Sequence, residues 1–427
     1  MESTPASATH RTAHPGGCPY IPPVKGAPTV PDAADARLET HGSVTPVLLP
    51  GGIEGMAVLG YEALREFLQH PEVAKNARHF AALREGRVPS GWPLLTFATV
   101  PGMTTADGAD HRRLRSLVSR TFTPRRVEEL RPRIEELTTT LLDGLADAAE
   151  AGGGTVDLRA HYALPLPMAV ICELLGVDEE FRSRLHQLSN QVVATGIPPE
   201  QVIAANRELV AVLAEVTARR VERPGDDLTS ALIAARDEGG DRLGAEELTG
   251  TLTLMIIAGH ETTLNLVTNA VRALCGHPDQ LELVRDGRAD WGDVVEETLR
   301  LHSPVRLFPF RYPVRDLTVD GTRIPAGTPV LAGYLAAGRD PAAHGPDADR
   351  FDVTRPARPG AVRHLSLGHG SHYCPGGPLA RLEATVALER LFARFPDLEL
   401  AVPDAQLPWH EGFVGNSVDK LPVRLGG

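Results

Sequence analysis

Hydrophobic and polar positions follow two periods along the chain. The changes between them mark a short β-rich start, a long helical middle and a small β return. Residues 44–49 and 54–59, separated by Pro50-Gly51-Gly52, read as strand, turn and strand. From Tyr61 the apolar spacing becomes helical and stays so for most of the chain, broken at Gly152-Gly153-Gly154 and at Asp237-Glu238-Gly239-Gly240. Residues 84–105, with Pro, Gly and Trp92, read as a long loop, and loops of that length in a compact fold usually carry binding elements. In residues 245–275, Leu248, Leu252, Ile256, Thr263, Val267 and Leu274 form one stripe, while Leu254, Met255 and Ile257 make the segment apolar nearly all round. Such a helix is buried. Residues 291–301 form another helix, stopped by Ser303-Pro304. From Leu317 the pattern alternates through a turn at Asp320-Gly321 to Ile324 and then to Val330-Leu331, a small sheet. A last helical stripe, Leu379, Leu382, Val386 and Arg390, follows Pro378. The expected fold is mainly α with a minor β part. No repeat or linker divides it, so residues 31–427 form one domain behind a flexible arm over residues 1–30.

Composition narrows the class without touching the chemistry. Hydrophobic residues at 42% and charged residues at 23% suit a globular protein with a sizeable core, and a net charge of −12 argues against nucleic acid as a general partner. No apolar run reaches the ~18–20 residues of a membrane span, and no signal peptide opens the sequence. Cys18, Cys172, Cys275 and Cys374 are scattered without framework spacing, which fits a reducing cytoplasm.

The chemistry gathers around Cys374. Gly368 and Gly370 precede it, and Gly376 and Gly377 follow just before the last helix. Glycines this dense let backbone approach a ligand closely. A helix N-terminus beside the sulfur predicts a lowered thiol pKa. Three readings fit these residues: an incidental thiol in a surface loop, zinc held by His369, His372 and Cys374, and a haem iron held by one thiolate. Three other patterns stand out. Ala258-Gly259-His260-Glu261-Thr262 places a carboxylate in the middle of the apolar helix, where Thr262 can compete for a helix carbonyl and open a groove, or a simple kink can hold a satisfied glutamate. Glu297 and Arg300 are three apart, the spacing of a surface ion pair. His111 and Arg115 are four apart on one face of a helix opening after Asp107.

The stretch from Gly368 to Ala380 resembles the haem-binding signature of cytochrome P-450 enzymes. Gly368, Gly370, His372, Cys374, Gly376, Leu379 and Ala380 match in spacing, and Leu367 stands where that family usually has phenylalanine. The resemblance implies the single-domain cytochrome P-450 fold, a triangular helical prism around haem b, with Cys374 ligating the iron and Gly368 and Gly376 beside it. It makes Ala258-Gly259 and Glu261-Thr262 the oxygen-activation motif, with O2 as co-substrate and proton delivery through Thr262 and Glu261. Glu297 and Arg300 become a structural pair on the thiolate side, and His111, Arg115, Arg311 and His372 donors to the propionates. It also implies an apolar substrate, a polyketide, steroid or peptide scaffold, as in the soluble actinobacterial branch that Trp92-Pro93-Leu94-Leu95 and Gly338-Arg339-Asp340-Pro341 look like. By family position the substrate pocket takes in residues 84–105, 185–200, 254–258, 305–308 and Phe413-Val414. No flavin or dinucleotide signature is present, so electrons are expected from a separate ferredoxin and its NAD(P)H-dependent ferredoxin reductase. The helix around Arg112 and Arg113 is the candidate docking face. Oxidative coupling or cyclisation without oxygen insertion is the alternative, and a non-enzymatic haem sensor a further one.

Overall fold

The computed structural model describes residues 42–92, 94–193, 198–236, 240–410 and 414–426. The expected arm over residues 1–30 lies outside them, as do Cys18 and Phe413. The chain opens with β1 (Val44–Leu49) and β2 (Ile53–Val58), an antiparallel hairpin that pairs Val44 with Val58 and Leu49 with Ile53. Helix α1 (Tyr61–Gln69) follows, burying Tyr61, Leu64, Phe67 and Leu68. The two-residue strand β3 (Val73–Ala74) leads on to α2 (Gly108–Thr121) and α3 (Arg131–Ala151). Helix α3 buries Ile134, Thr138, Leu142, Leu145 and Ala149, one stripe at helical spacing. After β4 (Val156–Asp157) come α4 (Pro165–Leu174), α5 (Glu179–Val193), α6 (Pro199–Glu222), α7 (Ala245–Gly276) and α8 (Trp291–Leu301).

The β return supplies β5 (Leu307–Pro313), β6 (Leu317–Val319), β7 (Thr322–Ile324) and β8 (Val330–Gly333). Helix α9 (Gly377–Arg394), β9 (Glu399–Leu400) and β10 (Pro422–Arg424) complete the described elements. The expected small sheet divides in two. Strands β6 and β7 form their own hairpin, whereas β8 joins the first hairpin in the order β1-β2-β8-β5-β3, parallel to β2. Val330 and Leu331 are buried, and pairing with Met56 and Ala57 covers them as the short hairpin could not. The expected loop over residues 84–105 also contains a short helix, Leu95–Thr99.

Helix α7 is the axis of the helical part. Its 32 residues run about 48 Å at 1.5 Å per residue, and it packs against α4, α6, α8 and α9. Contact on so many sides explains why it is apolar all round. The Thr262 hydroxyl donates to the Ala258 carbonyl at 2.7 Å, as its position predicted, yet the helix runs unbroken. A back-bonded threonine shares its carbonyl with the helix ladder, and the surrounding helices hold the ladder in place.

Candidate active site

The Cys374 loop is built by backbone geometry. Gly368 and Gly370 adopt φ of 79° and 74°, values that disfavour any side chain, and this turns the chain under the cavity floor. Cys374 N–H donates to the Leu367 carbonyl at 2.8 Å, and the N–H groups of Gly376 and Gly377 point at the sulfur. A methyl on Gly377 would sit 3.1 Å from Leu367 Cδ1, so the residue replacing the usual phenylalanine packs against the N-terminus of α9. Burial pushes the Cys374 thiol up, against the pull of these N–H donors and of Arg115 and Arg381. The expected lowering is thus overturned for the protein alone. A thiolate here needs a cation in the cavity, which is what a metal centre provides. His369 bonds Gln69 Oε1 at 3.1 Å and His372 stacks on His111, so the zinc trio does not assemble.

Above the sulfur opens a cavity of about 270 Å³. Ala258, Gly259 and Thr262 of α7 line one wall, facing Cys374, Gly368, Gly376 and Leu367. Leu254, Met255, Val305 and Phe308 were anticipated as lining. Of the described residues in 84–105 only Met103 and Thr104 take part, because Trp92 and Leu94 are buried in a separate apolar cluster beneath the large sheet. None of the described residues in 185–200 reaches the cavity, and Val414 packs against a third cluster around α1. In their place Val118 and Phe122 come from the end of α2, and Ile171 and Leu174 from α4. Sequence reading missed these because α4 is apolar on every face and shows no stripe to orient it.

One rim of this cavity collects cations. His111 is 4% exposed, its Nε2 has no hydrogen-bond partner, and its ring lies 4.0 Å from that of His372. Arg311 is buried and hydrogen-bonded to Tyr334, and Arg115 lines the cavity. Lys75, which sequence reading missed, is buried too, with Nζ 5.0 Å over the Phe308 ring. Burial, reinforced by neighbouring positive groups, drives Lys75 down to about 7 and His372 down to about 2, and lowers His111 as well. Asp107, the nearest carboxylate, is already held by the backbone N–H groups of Lys75 and Asn76 at 2.7 and 2.9 Å. Glu383 also lines the cavity, but burial drives its carboxyl toward the neutral form, so five basic side chains at one edge fit a ligand that carries carboxylates there. A haem, with two propionates and an iron for the sulfur below, meets both requirements.

Glu297 and Arg300 are not a surface pair. They are 1% and 3% exposed and joined by two bonds of 2.8 Å. Arg300 also donates to the carbonyls of Gly338, Ala348 and Arg350, while Asp352 N–H donates to Glu297, and Arg355 lies 3.4 Å from it. Beside this network Glu296 binds Arg381 of α9 at 2.5 Å and holds well below the usual carboxylate range, at about 2, against the cost of burial. In α7, Glu261 turns from the cavity toward the C-terminal segment, where burial raises its pKa against the pull of His410 and Arg159. Arg113, half of the anticipated docking pair, is bonded to Glu247 and faces Asp241, which leaves Arg112 exposed on that helix.

Among the described residues no helix is long and apolar enough to cross a membrane. The Cytochrome P450 family profile matches residues 292–413, from α8 through the Cys374 loop. The chain is 39% identical over 411 residues to 2-hydroxy-5-methyl-1-naphthoate 7-hydroxylase of Streptomyces carzinostaticus, covering 96% of this chain and 98% of that protein. It is also 39% identical over 398 residues to 6-deoxyerythronolide B hydroxylase of Saccharopolyspora erythraea, covering 92% and 95%. Among solved structures, CYP154C4 from Streptomyces sp. W2061 superposes with a TM-score of 0.87 at 43% identity, covering 92% and 95%. Fold, signature loop and full-length similarity converge, and the chain belongs to the cytochrome P450 family.

Proposed function

We propose that this cytochrome P450 monooxygenase hydroxylates or epoxidises an apolar small-molecule scaffold of the polyketide, steroid or peptide kind. The observation that carries the reading is the cavity: apolar side chains over most of its wall, the Thr262 hydroxyl on α7, and a thiol below. The relatives named for hydroxylating 2-hydroxy-5-methyl-1-naphthoate and 6-deoxyerythronolide B support the substrate class. Haem iron and O2 are the cofactor and co-substrate of the family. When bound, the haem supplies O2 activation and delivery of one oxygen atom to the substrate.

The roles of this chain's residues follow from their places. Cys374 is the iron's protein ligand, cradled by Gly368 and Gly376. His111, Arg115, Arg311 and His372 hold the propionates, and the orphaned His111 Nε2 gains a partner there. Ala258 and Gly259 expose backbone and leave room for a diatomic ligand. Thr262 Oγ1 offers a hydrogen bond inside the cavity, and Glu261 holds a proton one residue away. The apolar wall limits bulk water, so protons arrive mainly along polar side chains. Residues 31–427 act as one domain behind the N-terminal arm. Electrons come from a ferredoxin and its NAD(P)H-dependent reductase in the cytoplasm, with Arg112 on the docking face.

The test is a compound screen for the substrate-induced shift of the haem spectrum, followed by product mass with a reconstituted ferredoxin system. Gain of one oxygen atom supports the reading. Loss of two hydrogens without oxygen gain establishes coupling or cyclisation instead, and no NADPH-dependent turnover of any spectral binder overturns enzymatic oxidation. A ferrous–CO band at the histidine-ligated position overturns Cys374 as ligand.

A further inference from the structure

Glu261 is half-buried between α7 and the C-terminal segment, so the proton it would deliver has to be resupplied from solvent. The C-terminal segment supplies a candidate source. Trp409 pairs with Val418, His410 N–H donates to the Ser417 carbonyl at 2.9 Å, and Asp419 N–H donates to Pro408 at 2.7 Å, so residues 408–410 and 417–419 are held against each other. This brings His410 Nδ1 to 2.7 Å from Asp419 Oδ1, with side-chain exposures of 32% and 48%. The pair touches water on one side. On the other it meets α7 across Gly415: a methyl group there would lie 3.3 Å from Glu261 Oε1, 3.6 Å from Asn265 Nδ2 and 3.7 Å from His410 Cδ2. Glycine keeps open the space that joins carboxyl and imidazole. Asp419 occupies Nδ1, leaving Nε2, the atom next to Cδ2, on the Gly415 side.

The charged groups around this space are few. Arg159, from the turn before α4, donates to Asn265 Oδ1 at 2.9 Å, and its backbone N–H bonds Asp157 at 3.1 Å. Asp419 raises the pKa of His410, aided by Glu261, while burial and Arg159 oppose it. The same contact with His410 holds Asp419 below its ordinary value.

We propose that the His410–Asp419 pair is the solvent-side proton donor to Glu261, with Gly415 keeping the path between them open. This rests on the reading above that Glu261 and Thr262 deliver protons to the cavity. The step balances simply. The His410 imidazolium gives its Nε2 proton to the Glu261 carboxylate, the neutral ring stays held by Asp419, and solvent returns a proton to it. No electron moves and no heavy-atom bond changes. His410 acts through Glu261 and is a positioning residue. Asp419 favours the protonated ring, so His410 holds its proton to higher pH than a free imidazole, and delivery falls as pH rises through its pKa.

The test uses the haem-loaded enzyme with its redox partners and a spectrally identified substrate, reading product per NADPH against pH. His410→Gln keeps a hydrogen bond to Asp419 without titrating. It is expected to lower product per NADPH roughly tenfold at neutral pH, below the range of direct acid catalysis because water still enters. It should also erase the high-pH limb of the profile. Gly415→Val, which fills the path and leaves His410 intact, is expected to match it. A readout without turnover is the infrared carboxyl band of Glu261, assigned by its loss in Glu261→Gln. Without the cation, Glu261 stays protonated to higher pH, so the band should persist further in His410→Gln than in the parent. An unchanged pH profile and an unmoved band in folded His410→Gln overturn the proposal. If Glu261→Gln and Thr262→Ala also leave coupling intact, the underlying reading fails with it. If those two uncouple and His410→Gln does not, only the relay fails.

Discussion

Two clusters of largely buried basic side chains among the described residues differ in whether their donors are answered. Beneath the Cys374 loop, Arg300 meets Glu297 with two bonds and three backbone carbonyls with the rest, and Arg355 closes the group. At the cavity rim, Lys75, His111, Arg115, Arg311 and His372 crowd together, the one nearby carboxylate is bound to backbone, and His111 Nε2 has no partner. A buried charge is tolerable when paired and hydrogen-bonded and costly otherwise. The first cluster therefore belongs to the scaffold and the second to a ligand. Residue type does not separate the two, since both are mostly arginine and histidine. Satisfaction does.

The largest effect expected on that contrast comes from breaking the satisfied cluster. Glu297→Ala leaves buried Arg300 without its carboxylate, so a loss of about 3–5 kcal/mol is expected with or without haem. The checks are soluble yield and thermal midpoint. Normal yield and midpoint would mean that the pair carries no structural weight. Gly338→Ala attacks the same place without touching a charge. Its added methyl would lie 1.9 Å from the Arg300 carbonyl oxygen, so the chain must shift and the midpoint fall.

The opposite sign is expected at the rim. Lys75 is depressed from 10.5 to about 7 by burial first and Arg311 second. The unfolded chain therefore holds the Lys75 proton more tightly than the folded one does. The penalty to folding is absent above pH 10.5, grows as pH falls toward 7 and is full below that. Lys75→Met is expected to stabilise the haem-free protein at neutral pH by about 1–3 kcal/mol. Its advantage should shrink as pH rises from 7 to 10.5. In the loaded protein the same change should speed haem loss to an acceptor globin. Destabilisation of the haem-free form would erase the distinction between the clusters.

What the sequence revealed follows the same division. Cys374 with its glycines, and Glu261-Thr262 within an apolar helix, are legible because each constellation is contiguous and its parts constrain one another. Glu297 and Arg300 were visible as a pair but not as a buried one. Their burial depends on carbonyls 38 to 50 residues away, and no local spacing reports those. Lys75 was missed because it stands alone after a two-residue strand, with its cationic neighbours arriving from α2, β5 and the Cys374 loop. One signal was available: it is one of only three lysines in a chain whose other basic residues are arginines. The helices at 245–276 and 291–301 were read almost to the residue because their signals are local, whereas those between 131 and 222 were seen only as a helical run. The placement of β8 was not, because parallel pairing with β2 is a long-range contact.

The smallest effect on stability, and the sharpest on function, is expected at Thr262. Its hydroxyl bonds its own helix at Ala258 and otherwise faces the cavity. Thr262→Ala removes one shared hydrogen bond and leaves no buried group stranded, so the midpoint should move by no more than about 0.5 kcal/mol. Haem content and the substrate-induced spectral shift should persist. Coupling is where the loss appears. Without a donor at this position, electrons are still consumed, but more leave as hydrogen peroxide and fewer as product. The measurement is NADPH consumed, peroxide formed and product formed, in parent and variant with identical redox partners. Thr262→Ser restores the hydroxyl and should restore coupling, which a purely steric role for the methyl group would not predict. If Thr262→Ala couples as well as the parent, substrate groups supply the hydrogen bond. If it loses haem, Thr262 belongs with Glu297 and Arg300 on the scaffold side, and the boundary between the two regions runs through α7 rather than beside it.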